Sequence, residues 1–295
     1  MKEYISMKIG LQDGAYSRHY RLAEGSKRAR EHGYDCFDIG FFVNTEEAFF
    51  KFPEAEFKAE VLRYREMIES AGITAWQVHS PWRYPPRDAT PEDRAERLDS
   101  FCKAVRGASY VGATHFVMHA IMPFGVNSPK DPEKQRDINA EFMRRLYEEA
   151  KAYGIRYIDI ENLPFPAMPI NNTKQCFEMA KRMNAETGDD VFKVCLDTGH
   201  ANFCGENPAE MVRMLGKEYL GALHVHDNDG TADQHLRPGL GNIDWDDFSN
   251  ALEEIGFEGC MSLETSVPRD IPVGDERDKL ERDLAMTALK IAKRI

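Results

Sequence analysis

The sequence has no apolar run near the roughly 18 residues that a helix needs to cross a bilayer, and Met1-Lys2-Glu3-Tyr4 opens onto no apolar signal stretch. The expectation is a soluble, cytoplasmic protein with no membrane partner. There is no Cys-x-x-Cys pair either. Six scattered cysteines (Cys36, Cys102, Cys176, Cys195, Cys204, Cys260) argue against a disulfide framework or a cysteine zinc cluster and read as reduced, mostly buried fillers. Positive charge is not in surplus. A formal net charge of −12 repels a polyanion and works against a nucleic-acid partner, so small-molecule chemistry is favoured. No low-complexity tract or linker divides the 295 residues, so residues 1–295 are expected to form a single domain. Asn171-Asn172-Thr173 matches a glycosylation sequon, which without a secretory signal marks only a polar loop.

What the chain does have is alternation. β-like runs occur at 8–12, 36–42, 73–80, 115–120, 156–162, 191–196, 220–226 and 259–264, eight in all. Between them lie helix-length segments with amphipathic spacing, such as Leu98, Phe101, Val105 and Ala108, or Leu280, Leu284, Ala288 and Ile291. Gly33, Gly72, Gly112, Gly154 and Gly256 each stand where a helix should end before a strand, where a left-handed residue closes the helix. Thr90-Pro91-Glu92-Asp93 combines an N-cap hydroxyl, a proline at the first helical position and an acid three residues on. Eight strand-then-helix units match a (β/α)8 TIM barrel, a fold that commonly occupies about 250 residues. The open doubly wound alternative lacks its usual Gly-x-Gly-x-x-Gly turn, since Gly10-Leu11-Gln12-Asp13-Gly14 does not comply.

In such a barrel the ends of the strands converge on one mouth, where catalytic groups sit. Strand three ends Gln77-Val78-His79-Ser80, strand four at His119, strand five at Glu161-Asn162, and strand six at Asp197-Thr198-Gly199-His200. Strand seven ends His224-Val225-His226 and strand eight Glu264-Thr265. One histidine or acid at a strand end is usually a solvated loop group. Six consecutive strands ending so is another matter, because packing gives nine histidines no reason to gather at one end. A shared cation does. The best set of four is Glu161, Asp197, His224 and Glu264, from neighbouring strands, and mixed imidazole and carboxylate donors suit Zn²⁺, Mn²⁺, Co²⁺ or Mg²⁺. Asp233 and His235, two apart, would face the same way from an extended segment as a further pair of ligands or substrate contacts.

These motifs carry a resemblance. Ile160-Glu161-Asn162, Leu196-Asp197-Thr198-Gly199-His200, His224-Val225-His226-Asp227, the Asp-x-His-x-x-x-Gly-x-Gly run from Asp233 to Gly241, and Leu263-Glu264-Thr265 stand in the order found in the xylose isomerase-like barrel superfamily. Within it the chain resembles the sugar phosphate isomerase/epimerase group, related to ketose 3-epimerases, inosose dehydratases and type IV apurinic endonucleases. The resemblance implies one divalent cation on Glu161, Asp197, His224 and Glu264 in the isomerases and epimerases. In the endonuclease branch it implies up to three Zn²⁺, with positions matching His79, His119, His200, Asp233 and His235 recruited as well. His235 stands where ketose 3-epimerases resemble one another in carrying arginine. A homo-oligomer is implied by resemblance alone.

The expected chemistry is isomerisation or epimerisation of a small sugar, free or phosphorylated. A cation that meets a carbonyl and an adjacent hydroxyl stabilises the charge left when the C–H between them loses its proton, and Glu161 and Glu264 are the carboxylates to move that proton. The alternatives are a multi-zinc phosphodiester hydrolase, a dehydratase (lyase) acting on a keto-polyol, and a barrel that only binds sugar or metal. His79, His119, His200 and His235 are expected to contact metal or substrate oxygens, and Trp82, Phe42, Phe203 and Trp245 to wall the pocket. Arg83, Arg87, Arg237 and Arg269 are candidate phosphate clamps, and the loop 122–131 has the length of a lid.

Overall fold

The alternation of apolar runs and amphipathic stretches produces eight parallel strands separated by helices, as seen in a computed structural model that describes residues 7–126 and 131–293. In chain order these are β1 (Lys8–Gln12), α1 (Gly14–Ser17), α2 (Leu22–His32), β2 (Cys36–Ile39), a 3-10 turn (Ala48–Lys51), α3 (Glu54–Ser70), β3 (Thr74–His79), α4 (Pro91–Val111), β4 (His115–Met118) and α5 (Pro132–Ala152). They continue with β5 (Tyr157–Glu161), α6 (Thr173–Thr187), β6 (Phe192–Asp197), α7 (Thr198–Phe203), α8 (Pro208–Tyr219), β7 (Leu220–His224), α9 (Trp245–Glu254), β8 (Cys260–Leu263) and α10 (Asp275–Ile291). Hydrogen-bonded neighbours run β7-β6-β5-β4-β3-β2-β1-β8. The last gap is closed one residue beyond β7. There Val225 donates its N–H to the Ser262 carbonyl at 2.8 Å and accepts from Glu264 N–H at 3.0 Å, which completes the TIM barrel.

All eight expected strands form, most of them shorter at the mouth than their apolar runs suggest. β2 stops at Ile39 rather than residue 42, β4 at Met118 rather than 120, and β7 at His224 rather than 226. Apart from Val225, whose bonds to β8 close the barrel, the residues beyond these ends lead into the loops above. The punctuation behaves as expected: Gly33, Gly72, Gly112, Gly154 and Gly256 all have φ between 64° and 110°. Thr90 and Asp93 form a reciprocal capping box, with Asp93 N–H donating to Thr90 Oγ1 at 3.1 Å and Thr90 N–H to Asp93 Oδ2 at 3.2 Å.

Most of the core lies between strands and helices. Leu98, Phe101, Val105 and Ala108 of α4 are all buried, each large side chain contributing about 1.5–3 kcal/mol relative to exposure. In α10 Leu284, Ala288 and Ile291 are buried while Leu280 is half-buried. A smaller apolar group, Val117, Cys195 and Ala222, lies apart from that core on β4, β6 and β7, below the strand ends. All six cysteines are free. Among the described residues no helix is long and apolar enough to cross a membrane. Part of the 122–131 loop proposed as a lid lies outside the described residues; Met122 is buried against Leu163 and Met168.

Candidate metal centre

Four strand ends bring Glu161, Asp197, His224 and Glu264 together, with one donor atom of each within 4.8 Å of the others. Each occupies its place for a local reason. Glu161, Asp197 and His224 are the last residues of β5, β6 and β7, and Glu264 immediately follows β8, so parallel pairing delivers them to one level. His224 Nδ1 is 3.0 Å from Glu161 Oε1 and 3.0 Å from Glu264 Oε2. Yet His224 Nδ1, Glu161 Oε2 and Glu264 Oε2 are buried and make no hydrogen bond. Buried polar atoms are rarely left without a partner, so donors of both kinds facing one another unbonded are what a cation site requires.

Two further groups adjoin the first. His79, His119 and Glu161 form one, with Glu161 Oε2 at 2.9 Å from His119 Nε2 and 3.4 Å from His79 Nε2. His200, His226, Asp233 and His235 form the other. There His200 Nε2 is 3.4 Å from Asp233 Oδ2, and His235 Nε2 is 3.4 Å from Asp233 Oδ1. Every histidine and acid expected at the mouth is therefore present there.

Backbone acceptors fix how the rings face. Nδ1 of His79, of His200 and of His235 lies 2.8 Å from the carbonyl oxygen of Ser80, Asn162 and Glu264 respectively. A carbonyl only accepts, so in each ring Nδ1 carries the hydrogen and Nε2 is turned to the site. His224 is reversed, with Nε2 at 2.8 Å from Asp38 Oδ2. Glu264 is steadied by Gln12 Nε2, which donates to its Oε1 at 2.8 Å. Asp197 accepts from His200 N–H at 2.7 Å and lies 3.0 Å from His226 Nε2.

The loop after β7 is built around one carboxylate. Buried Asp227 accepts at Oδ2 from Gly239 N–H at 2.9 Å, Gly241 N–H at 3.0 Å and Trp245 Nε1–H at 2.9 Å. A Cβ on Gly241 would sit 2.2 Å from the Asn228 carbonyl oxygen, which is why glycine stands there. The arc so held carries Asp233 and His235. These meet, but not by the alternation of an extended segment: His235 has φ 47°, left-handed for a non-glycine residue. Its carbonyl accepts from Thr265 Oγ1–H at 2.7 Å, which holds it there.

Electrostatics follow from this crowding. Burial opposes the charged form of Glu161, but His224 and His119 outweigh it and hold the carboxyl well below its usual range. Glu264 is likewise lowered, burial again being overcome by His224. Burial works against the His200 imidazolium, but Asp197 and Asp233 push it up to about 10. For His235 the Asp233 contact and the Glu264 charge overcome burial and raise it to about 9. Burial lowers His119.

Above these groups opens a cavity of about 670 Å³, lined on one side by His79, His119, Glu161, His200, Asp233, His235 and Glu264. The opposite wall is Ser17, Arg18, Phe41, Asn44, Glu47 and Phe49, with Trp82 and Phe165 between. Trp82 meets His119 edge-on, ring centroids 4.6 Å apart. The other aromatic expectations are corrected: Phe42 is fully buried in the main core, Trp245 is occupied by Asp227 and Phe248, and neither these nor Phe203 line the cavity. None of the four candidate arginines is among the residues that line this cavity. Arg83 is held by Asp88 and Glu96. Arg237 begins a turn closed by Leu240 N–H and, like Arg87 and Arg269, is not among the lining residues; Arg18, which the sequence did not single out, is. Asp38, Gln12, Asp227 and His226 were also missed. His226 and Asp227 stood inside a quoted motif; Gln12 and Asp38 sit on strands whose ends carry no histidine.

A parallel barrel with imidazoles and carboxylates at its carboxyl ends defines a class, and residues 26–289 match the family model for xylose isomerase-like TIM barrels. The chain belongs to that family. It is 29% identical over 268 residues to inosose isomerase of Bacillus velezensis, covering 89% of each chain. To D-psicose 3-epimerase of Enterocloster bolteae it is 22% identical over 233 residues, 77% of this chain and 73% of that one. Among solved structures, one of the IOLI protein with a binding zinc atom has a TM-score of 0.73 at 21% identity, over 98% of this chain and 99% of that one.

Proposed function

We propose that the protein is a divalent-metal-dependent isomerase or epimerase of a small sugar, free or phosphorylated, with residues 1–295 acting as one barrel domain. Glu161, Asp197, His224 and Glu264 hold the cation, and Glu161 and Glu264 move the proton. The observation that carries this reading is the set of buried, unbonded atoms His224 Nδ1, Glu161 Oε2 and Glu264 Oε2 on side chains gathered at the strand ends, where Glu161 and Glu264 line the cavity. Relatives named as an isomerase and an epimerase support it.

A divalent cation bound there supplies the positive charge that offsets the negative charge arising at a carbonyl oxygen when the neighbouring C–H is deprotonated. Glu161 and Glu264 stand on either side of β6 and β7 in the ring, so one carboxylate meets each face of a substrate. One takes the proton; delivery from the other inverts the carbon, and general acid–base catalysis of this kind contributes roughly 10² to 10⁴ in rate. His200 and His235 flank Asp233, where they orient substrate hydroxyls, and Trp82 packs against the C–H side of the sugar. Glu161→Gln and Glu264→Gln, made separately, are each expected to abolish exchange of a substrate carbon-bound hydrogen with solvent. Full exchange in both variants would refute the two-carboxylate assignment.

A second reading, the multi-zinc phosphodiester hydrolase, is favoured by the two groups adjoining the first. The net charge of −12 opposes a polyanionic substrate. Metal analysis separates the two: about one ion per chain for the isomerase, close to three zinc ions for the hydrolase.

A further inference from the structure

The four proposed ligands belong to β5–β8, while β1–β3 contribute side chains to the same level that hold no place in that set. Asp38 is the enclosed carboxylate among these. It lies within β2, is 1% exposed, and its Oδ2 is 2.8 Å from His224 Nε2. Gln77 of β3, fully buried, donates from Nε2 to the same oxygen at 3.1 Å. Asp38 Oδ1 makes no hydrogen bond. A carboxylate enclosed this way costs several kcal/mol unless positive charge lies close by.

A carboxylate oxygen only accepts, so His224 Nε2 carries the hydrogen and donates it. In the neutral ring Nδ1 is then the nitrogen left for a cation, and it is the one that faces Glu161 and Glu264 at 3.0 Å. The rings of His79, His200 and His235 are anchored the other way, through Nδ1 to backbone carbonyls. His224, at the end of β7, is turned instead by a side chain from across the barrel.

We infer that Asp38, itself held by Gln77, is a positioning residue that fixes His224 as an Nδ1 donor and thereby sets the affinity of the centre for its divalent cation. The inference rests on the proposed metal centre. A charged acceptor behind a ligating imidazole fixes the tautomer and makes the ring a better donor, and losing such a partner typically lowers metal affinity about 10- to 100-fold.

The test uses metal-free wild type, Asp38→Asn, Asp38→Leu and Gln77→Met, each titrated with Zn²⁺ against a chromophoric chelator. Two-bond ¹⁵N–¹H spectra of histidine-labelled protein read the tautomer of His224. Affinity is expected to fall about 10-fold in Asp38→Asn, which keeps a neutral acceptor, about 100-fold in Asp38→Leu, and by less than either in Gln77→Met. Wild type should show the Nε2–H tautomer once Zn²⁺ is bound, and Asp38→Leu a shift towards Nδ1–H. Folded variants that melt lower yet bind Zn²⁺ as wild type does would reduce Asp38 to a packing role and overturn the inference while leaving the metal centre standing. Wild type that takes up no Zn²⁺, Mn²⁺ or Co²⁺ overturns both. Should Asp38→Leu fail to fold, Asp38→Asn and Gln77→Met carry the test.

Discussion

At the scale of single residues, the direction each imidazole faces matters more than its presence. The sequence marks His79, His119, His200 and His224 at strand ends and His235 in the loop after β7; four of them line the cavity, and His224 lies with Glu161 and Glu264, which also line it. It could not mark which nitrogen each presents, because the acceptors are backbone carbonyls of the next residue or a neighbouring strand end for His79, His200 and His235, and Asp38 from across the barrel for His224. Asp38 went unnoticed because a lone acid between Phe37 and Ile39 looks like any polar position in a short strand. The crowding has a pH signature. His200 and His235 are raised in the folded metal-free protein to about 10 and about 9, from about 6.5 in an unfolded chain. Raised imidazoles stabilise the fold below the unfolded value, and that contribution is lost as pH climbs through the folded one. Urea midpoints of the metal-free protein should therefore fall from pH 6.5 towards 10, and His200→Gln should flatten part of that slope. Identical slopes in variant and wild type would contradict the assignment.

Among the elements, strands and helix caps were legible and the long loop was not. Periodicity and glycine punctuation identify all eight strands, since each alternation is enforced by burial on the spot. The arc from Asp227 to Trp245 has no period to read. It is shaped by one buried carboxylate gathering backbone N–H groups from Gly239, Gly241 and Ile243 with the Trp245 indole. Its sequence signature, two glycines spaced by one residue, looks like an exposed turn, and the expectation of an extended Asp233–His235 pair failed at the left-handed His235. Gly241→Ala would force a Cβ to within 2.2 Å of a carbonyl oxygen. It should destabilise by about 1–3 kcal/mol, the usual cost of an overpacked site, and should weaken any contact made through Asp233 and His235. Differential scanning calorimetry with a parallel KM determination checks both, and an unchanged melting point would contradict the hub assigned to Asp227.

For the whole molecule, the barrel divides its labour across the ring. β5–β8 present the proposed ligand set, β1–β3 supply Gln12, Asp38 and Gln77 behind it, and the backbone bonds of Val225 close the ring between β7 and β8. The fold class was readable because eight strand-then-helix units in succession match a closed barrel; the shape of the cavity was not, because its outer wall comes from loops with no repeating pattern, including Arg18 and Phe41. If the three acids and one imidazole hold a cation, metal at a hundred times its dissociation constant should add about 2.7 kcal/mol to stability. Thermal midpoints should then rise by several degrees in wild type and not in Asp197→Asn. The most direct test of the central claim is deuterium uptake from D₂O into a panel of ketoses and their phosphates, followed by NMR with and without chelator. Uptake at a carbon beside the carbonyl of at least one sugar, abolished by the chelator and restored by added divalent metal, is the predicted result; no uptake on any sugar by metal-loaded protein would contradict it.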